Sequence, residues 1–317
     1  MIRTATRLCA LVAAAAGVIT AGVIAVGGCA DNGTAPALPG QLDTSAYDAV
    51  IGGSPVADAS AITPGSWADK VKQRGTLDVG GTDAGPLFSL KNPATGKVTG
   101  FDAGLSQMLG HYITGKPTGN TRLTITTVDT RETLIQNGTV DAVFGTYTIT
   151  PARAAKVAFA GPYYESGDAI MVKAGNTAIH SVADLNGKTV ATEANSTAAL
   201  ALQKAAPGAN TLLFQQDAQC VAAVQQGRAD AYVLDQAILI SDASTNPAVT
   251  VVGEPFTREP YGIGLPLGDP TAKQFVNDWL RKIYADGSWA KLWKATIGTV
   301  VKGDAPAPPV IGSAAGS

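Results

Sequence analysis

Strand-like and helix-like segments alternate along most of this chain. Short apolar runs such as Val140 to Phe144 and Ala229 to Leu234 are each followed by a segment whose apolar residues have helical spacing. This alternation is typical of an α/β fold, in which a mainly parallel sheet is covered by helices on both faces. Ligands of such folds bind at the carboxyl ends of the strands, so we expect functional residues just after Phe144 and Leu234.

Length and composition exclude several classes of protein. The chain has 317 residues, of which 45% are apolar and 15% charged, which is enough for two domains with cores of their own. The net charge of -2 gives no electrostatic reason to expect a nucleic-acid partner. The cysteines (Cys9, Cys29 and Cys220) and the two histidines are too scattered to indicate a metal site or a disulfide framework. We expect neither a metal nor an organic cofactor.

The first 28 residues have the pattern of a secretory signal peptide. Arg3 and Arg7 supply a positive start, and residues 8–26 form an apolar stretch. Two glycines then precede Cys29, which resembles the lipobox of bacterial lipoproteins, where cleavage leaves the cysteine as the lipid-bearing first residue. We therefore expect a signal peptide at 1–28 and a lipid anchor at Cys29 on the outer face of the cell membrane. A plain membrane-spanning anchor is the alternative, because the apolar run is near the spanning length.

Two segments lack the pattern of a packed fold. Residues 29–66 are rich in Ala, Gly, Pro, Ser and Asp and have few large apolar side chains, which predicts a flexible tether. Residues 302–317 have a similar composition, which predicts a disordered tail. The folded part should therefore lie between Trp67 and Val301.

The segment from Thr127 to Gly167 carries the strongest sign of a ligand site. Thr150 is a good N-cap and Pro151 suits the first helical position, which places Arg153 in the first turn of a helix. Arg131 lies in the first turn of the preceding helix, and a cation at either position opposes the helix dipole. Both arginines are better placed beside a carboxylate or phosphate. The alternatives are a solvated side chain for Arg131 and a structural salt bridge for Arg153.

Asp235 directly follows the predicted strand Ala229 to Leu234, at a strand end where ligands are expected to bind. It also opens a helix, so its alternative role is that of an N-cap. The strand before it belongs to a short repeat. Ile135-Gln-Asn-Gly138-Thr-Val-Asp141-Ala and Val224-Gln-Gln-Gly227-Arg-Ala-Asp230-Ala each combine a helix end, a glycine and an Asp-Ala pair that opens a strand. Such a repeat arises by chance in α/β proteins, and it is also what two lobes of similar construction would produce.

Seven stretches form a specific pattern when they are taken in order. They are Gly80 to Asp83, Gly100 to Asp102, Val140 to Arg153, Phe159 to Tyr164, Arg228 to Asp235, Tyr261 to Gly264 and Ala285 to Trp289. This pattern, which covers about Leu77 to Ile297, resembles the extracellular solute-binding proteins of ATP-driven polar amino-acid importers. The likeness is greatest to the glutamate-binding lipoproteins of high-GC Gram-positive bacteria, through Arg131 to Gly138 and Glu254 to Thr257.

The resemblance implies a two-lobed α/β fold of the type II periplasmic-binding-protein kind, which closes on its ligand by a hinge motion. Lobe 1 would combine residues 67–162 with 261–301, and lobe 2 would be residues 163–260, which include the hinge crossovers. The chain would be a monomeric, non-catalytic receptor. Its partners would be a small amino acid and the membrane permease of an ABC importer.

The resemblance also implies roles for individual residues. Arg153 would grip the α-carboxylate of the ligand, and Asp235 would accept the α-ammonium from the opposite lobe. Four further residues would add hydrogen bonds to the ligand: Thr146, Thr148, Ser196 and Thr197.

Three charged residues bear on the choice of ligand. Arg131 matches the arginine that acidic-amino-acid binders place against the distal carboxylate, so glutamate is favoured. Asp83 matches an aspartate that takes the side-chain amide in glutamine binders. Glu193 adds a carboxylate at a pocket position, which would repel an anion or select an amide. Glutamine, aspartate and asparagine are therefore kept as alternative ligands.

Two other functions are compatible with the same residues. A ligand sensor that signals through another membrane protein needs the same closure as a transport receptor. A dehydratase of prephenate or arogenate, which some relatives of this family became, would need a general acid in the cleft, and Glu193 is the candidate.

Overall fold

The protein is described by a computed structural model that covers residues 42–317. The predicted signal peptide, Cys29 and the first part of the predicted tether lie outside the described residues. Between residues 42 and 317, none of the helices combines the length and the apolar character that a membrane span requires.

The described residues form ten α-helices and thirteen strands. The helices are α1 (Thr44–Gly52), α2 (Trp67–Arg74), α3 (Phe101–Thr114), α4 (Arg131–Gln136), α5 (Pro151–Ala154), α6 (Thr197–Ala205), α7 (Asp217–Gln225), α8 (Gln236–Thr245), α9 (Pro270–Ala285) and α10 (Ser288–Ala295). The strands are β1 (Leu77–Gly81), β2 (Ala84–Gly85), β3 (Ser89–Lys91), β4 (Val98–Thr99), β5 (Thr121–Ile125), β6 (Ala142–Val143), β7 (Ala158–Ser166), β8 (Asp168–Lys173), β9 (Thr189–Glu193), β10 (Asn210–Phe214), β11 (Ala231–Asp235), β12 (Val249–Val252) and β13 (Glu259–Leu265).

The strands form two five-stranded sheets and a small third one. The first sheet has the order β5-β1-β6-β13-β7, the second β10-β9-β11-β8-β12, and β2, β3 and β4 form the third. The prediction of a mainly parallel sheet is only partly correct. In the first sheet β13 runs antiparallel to β6 and β7, and in the second β8 runs antiparallel to β11 and β12. Each of these two strands is the first after the chain crosses from one sheet to the other.

The sequence repeat corresponds to a repeat in structure. Gly138 and Gly227 both adopt the left-handed conformation, with φ of 72° and 71°. The Asp141 carboxylate then accepts from the backbone N–H of Asp78, and the Asp230 carboxylate accepts from that of Thr189, at 2.7 and 2.8 Å. The same helix-to-strand turn therefore opens one central strand in each sheet.

Each large sheet has its own hydrophobic core, so the described chain has two lobes. The core of the first sheet includes Trp279 and Trp289, both fully buried. The core of the second sheet includes Met171 and Tyr232. A smaller cluster beside the first sheet contains Tyr147 and Phe159.

The segment from residue 42 to 66 is not a flexible tether, contrary to the prediction. Asp43 caps helix α1 by accepting from the backbone N–H groups of Ser45 and Ala46. Tyr47 and Ile51, one helical turn apart, are buried in the core of the first sheet. Ile62 belongs to the same core, and Val50 and Ala57 pack against it, so scattered apolar side chains dock a segment of otherwise weak apolar composition.

The predicted disordered tail, residues 302–317, also packs against the folded body. Ala305 and Ile311 contact the core of the first sheet, and Ala314 contacts the smaller cluster. The backbone N–H of Gly312 donates to the carbonyl of Gly161 at 2.9 Å. The prediction failed because a few contacts, those of Ile311 among them, and a backbone hydrogen bond fix this segment, and composition does not reveal them.

Candidate ligand-binding site

Arg131 and Arg153 lie against the same aromatic ring. Their guanidinium carbons are 3.8 and 5.2 Å from the centroid of the Tyr147 ring. Arg131 donates to the backbone carbonyl of Gly145 at 3.2 Å, and Arg153 donates to that of Thr148 at 2.9 Å. One short segment, residues 145–148, therefore supports both cations.

The local structure around Arg153 confirms the sequence-based prediction of a helix start. The Thr150 hydroxyl accepts from the backbone N–H of Arg153 at 3.2 Å, and Pro151 occupies the first turn of α5. Arg153 is consequently held on the first turn of a very short helix, next to the carboxyl end of β6.

The environment of the two arginines argues against both alternative roles. Arg131 is only 7% exposed, so it is not a solvated helix residue. Among the described residues neither arginine forms a salt bridge. Burial, and next the charge of Arg153, lower the pKa of Arg131 to about 10. A buried Arg131 and a half-buried Arg153 that share one aromatic ring, with no salt-bridge partner for either, are the arrangement that an anionic ligand would stabilise.

Asp235 ends strand β11 in the other lobe and immediately precedes α8. Its side chain makes no capping hydrogen bond to that helix, so the N-cap alternative does not hold. The residue is 5% exposed, and Oδ1 has no hydrogen-bond partner. Burial, and next the charge of Glu259, raise the pKa of its carboxyl, whereas Arg153 and Arg131 lower it. A carboxylate in this condition is a suitable acceptor for a ligand cation.

A cavity of about 230 Å³ lies between the lobes, at the carboxyl ends of strands from both large sheets. Four residues that the sequence analysis named line it: Asp83, Arg131, Thr146 and Glu193. Asp83 and Glu193, whose orientation the sequence left open, thus face the same space as Arg131. The cavity is small, which suits a compact ligand.

Other predicted site residues do not line this cavity. They are Thr148, Arg153, Ser196, Thr197 and Asp235. Arg153 lies against the same Tyr147 ring as the lining residue Arg131, and Asp235 is flanked in sequence by the lining residue Leu234. The Ser196 hydroxyl accepts from the backbone N–H of Ala199 as the N-cap of α6.

Sequence analysis missed several residues of the cavity wall. They are Phe88, Gln215, Gln216, Asp217 and Ser241. Gln215 and Gln216 directly follow β10, so the rule that ligands bind after strand ends would have found them had it been applied to every strand. Phe88 and Ser241 carry no comparable signal in the sequence.

Acidic groups on the lobe 2 side of the cavity interact strongly. Burial, and next the charge of Asp217, raise the pKa of Glu193 to about 7, whereas Arg131 lowers it. The Tyr232 hydroxyl donates to Asp217 at 2.8 Å. Glu193 is therefore poised to change its protonation state near neutral pH.

Two hydrogen bonds join the lobes beside the cavity. The Asn195 amide, on the loop after β9, donates to the Asp129 carboxylate on the loop before α4. The backbone N–H of Leu87 donates to the Ser241 hydroxyl on α8 at 2.9 Å. The cavity is thus covered by contacts from both sides. Within residues 42–317 no group of His, Cys, Asp or Glu side chains is arranged to hold a metal ion.

This architecture agrees with the comparison with known proteins. The profile of the bacterial extracellular solute-binding proteins, family 3, matches residues 77–299. The chain belongs to this family. The matched region runs from the start of β1 to just beyond α10 and contains every cavity residue named above, while α1, α2 and the C-terminal tail lie outside it.

Three individual proteins illustrate the similarity. A glutamine-binding protein of Geobacillus stearothermophilus is 41% identical over 62% of this chain and 74% of its own length. The glutamate-binding protein GluB of Corynebacterium efficiens is 32% identical over 71% of this chain and 80% of its own. The solved structure of an ancestral amino acid-binding protein, described as a precursor of cyclohexadienyl dehydratase, has a TM-score of 0.65 at 35% identity and covers 72% of this chain and 98% of that one.

Proposed function

We propose that this protein is the extracellular receptor of an ABC amino-acid importer, and that it captures glutamate by closing its two lobes. The observation that carries the proposal is the pair of guanidinium groups, the buried Arg131 and the half-buried Arg153, which both lie against the Tyr147 ring. In the proposed complex Arg153 binds the α-carboxylate and Arg131 binds the distal carboxylate. Asp235 accepts the α-ammonium from lobe 2.

Charge balance supports a dicarboxylic ligand. Two cations would meet two ligand carboxylates, and one carboxylate would meet one ammonium, so that no buried charge is left without a partner. An unpaired buried charge costs several kcal/mol, which makes this balance a strong requirement. Thr146, Thr148, Ser196 and Thr197 would supply the neutral hydrogen bonds around the ligand.

The acidic residues of the cavity keep the alternative ligands open. Asp83 and Glu193 line the same space as Arg131 and would accept from a ligand amide, which favours glutamine or asparagine. A protonated Glu193 would instead donate to a ligand carboxylate, and its raised pKa supports that state below about pH 7. Relatives with either glutamine or glutamate in their names are consistent with this division.

The proposal also includes attachment of the protein to the outer face of the cell membrane. Cleavage before Cys29 and lipid attachment to it would hold the receptor on the outer face of the cell membrane, as a monomer beside its permease. Lobe 1 would comprise residues 67–162 and 261–301, and lobe 2 residues 163–260. Closure shifts the population of conformations only to the extent that the ligand binds the closed form more tightly.

Calorimetric titration of residues 30–317 with glutamate, glutamine, aspartate and asparagine tests the proposal. We expect saturable binding with glutamate as the tightest ligand. Arg153→Ala should abolish binding of all four compounds. Absence of binding by every one of them would overturn the proposed function.

The cavity also contains the group that a dehydratase would use, namely Glu193 with a raised pKa. Incubation with prephenate or arogenate and detection of the aromatic product test this second candidate. Product that Glu193→Gln eliminates would favour the enzyme. A sensor is distinguished in cells, because deletion of a transport receptor lowers the uptake of labelled glutamate whereas deletion of a sensor need not.

A further inference from the structure

Asp102 makes two hydrogen bonds that connect helix α3 to the site. The residue is 1% exposed in the first turn of α3. Its Oδ2 accepts from the backbone N–H of Thr146 at 2.7 Å, and its Oδ1 accepts from the hydroxyl of Tyr163 at 2.8 Å. Both carboxylate oxygens are therefore committed to donors on other elements.

Thr146 has an unusual backbone conformation. Its φ is +44°, and within the described chain only Asn195 is another non-glycine residue with a positive φ. A β-branched residue is a marked outlier in this region, where such conformations cost about 1–3 kcal/mol and persist only when their surroundings enforce them. The hydrogen bond to the Asp102 carboxylate is the contact that holds the Thr146 amide in place.

The conformation of Thr146 decides where the neighbouring carbonyl groups point. Gly145 supplies the carbonyl that accepts from Arg131, and Thr148 supplies the one that accepts from Arg153. Thr146 lies between them and itself lines the cavity. A change in φ at this position would redirect the segment on which both guanidinium groups rest.

We propose that Asp102 is the positioning residue of the ligand site, which holds Thr146 in the left-handed conformation and thereby sets both guanidinium groups at the spacing of the two ligand carboxylates. Asp102 need not touch the ligand for this role. The inference rests on the proposed function for its ligand, but the positioning of Thr146 is measurable without one.

The charges that face Asp102 come from several elements. Tyr163 and Tyr164 on β7 are close enough to Asp102 for its charge to raise the pKa of both hydroxyls. Arg131 on α4 lowers the pKa of the Tyr163 hydroxyl. Asp83 and Lys91 border a second cavity that Asp102 also lines. Burial raises the pKa of Asp102 to about 6, while the Thr146 amide and the Tyr163 hydroxyl lower it. Protonation of Asp102 would weaken its hydrogen bond to the Thr146 amide. We therefore expect the conformation of Thr146 to become less constrained as the pH falls through about 6.

Asp102→Asn is the principal test, because the carboxamide keeps the shape of the side chain but removes the negative charge that strengthens the hydrogen bond to the Thr146 amide. We expect affinity to fall at least tenfold for glutamate and glutamine alike, with the fold retained by circular dichroism. Ser106→Ala is the matched control, since Ser106 is buried on the same helix and its hydroxyl donates within that helix to Ala103. It should change the affinity less than twofold.

A double-mutant cycle separates positioning from general support of the fold. Glycine adopts a positive φ at no steric cost, so Asp102→Asn should lose much less affinity in a Thr146→Gly background than in the parent. An equal loss in both backgrounds would refute the inference.

Amide hydrogen exchange of the ligand-free protein gives a readout that survives failure of the proposed function. The Thr146 amide should be protected in the parent, should lose protection in Asp102→Asn, and in the parent should lose it as the pH falls through about 6. Should the Asp102→Asn variant not fold, this pH dependence in the parent still decides the matter. A Thr146 amide that is unprotected at pH 7.5 would overturn the inference, whether or not an amino acid binds.

Discussion

Asp168 and Asp235 are direct partners across the antiparallel pair of strands β8 and β11. Both are buried, and neither oxygen of Asp168 nor Oδ1 of Asp235 has a hydrogen-bond partner. Glu259 of β13 adds a third buried carboxylate. Burial and then like charge raise the pKa of Asp168 to about 8 and that of Asp235 to about 7. Such interacting carboxylates share protons and titrate as a unit near neutral pH.

This unit predicts that ligand binding releases protons. An ammonium beside Asp235 stabilises its ionised form, so affinity should rise between pH 6 and pH 8, by at most about tenfold per pH unit for each proton released. Calorimetry in two buffers that differ in ionisation enthalpy measures the number of protons. Asp168→Asn removes one of the titrating carboxyl groups, so fewer protons should be released and the pH dependence should flatten. Equal heats in the two buffers would contradict the prediction.

The same carboxylates predict how the stability of the ligand-free protein depends on pH. Their pKa values are raised above the unfolded value of 3.8, so the folded chain binds more protons than the unfolded chain between about pH 4 and pH 8. Their contribution is complete at low pH and is lost as the pH rises through the folded pKa, by up to about 1.4 kcal/mol per pH unit for each group. Melting temperatures measured from pH 5 to pH 8 should fall less steeply in Asp168→Asn than in the parent.

Arg131→Leu tests the choice between acidic and amide ligands. The change removes the proposed partner of the distal carboxylate, so glutamate affinity should fall by about 2–3 kcal/mol, or roughly 30- to 150-fold, whereas glutamine affinity should fall less than tenfold. Titration calorimetry with both ligands measures the ratio. Lys156→Leu is the control, because Lys156 is exposed and pairs with Glu132 on the surface. An unchanged ratio of glutamate to glutamine affinity would show that Arg131 does not set specificity.

The hydrogen bond between Asn195 and Asp129 predicts a contribution to closure. Asn195 has φ of +59°, so Asn195→Gly removes the side chain without backbone strain. We expect a two- to fivefold loss of affinity, because an exposed hydrogen bond of this kind contributes about 0.5–1 kcal/mol. Small-angle scattering should show a larger radius for the variant. Asn210→Ala, on exposed strand β10, should have neither effect.

Two adjacent residues of the C-terminal tail, Val310 and Ile311, should contribute very differently to stability. Ile311 packs against the core of the first sheet, whereas Val310 is 75% exposed. Ile311→Ala should therefore lower the unfolding free energy by about 1 kcal/mol or more and the melting temperature by a few degrees. Val310→Ala should leave both unchanged within about 0.5 kcal/mol. Equal effects of the two changes would mean that the tail does not pack in solution.

The sequence was most informative where local chemistry decides local structure. Thr150 and Pro151 predicted the start of α5, and the repeated Gly and Asp pattern predicted equivalent turns in the two lobes. The long strand β7 was missed, because Gly161 and Pro162 interrupt an otherwise strand-like run. The antiparallel pairing of β8 and β13 was also missed, because the direction of each strand depends on where the chain crosses from one sheet to the other.

Local sequence patterns could indicate candidate ligand contacts, but not the long-range contacts that surround them. Strand ends and helix starts in the sequence indicate Arg131, Arg153 and Asp235, which are the proposed ligand contacts. The approach of Asp168 to Asp235 depends on the register of β8 against β11, which no local pattern encodes. The hold of Asp102 on Thr146 likewise joins positions 44 residues apart in sequence.

Because helix α1 packs on the folded body, it shortens the linker between the proposed lipid anchor and that body. With the proposed anchor at Cys29, only about a dozen residues separate the bilayer from the packed body at Leu42. These residues can span at most roughly 45 Å, whereas a linker from Cys29 to Trp67 could span roughly 130 Å. For flexible chains of these lengths, the effective concentration of the receptor at the mouth of a neighbouring permease would be roughly fivefold higher. If the proposed anchor and permease are correct, docking of helix α1 would thus keep the ligand-bound protein close to the entrance of the permease.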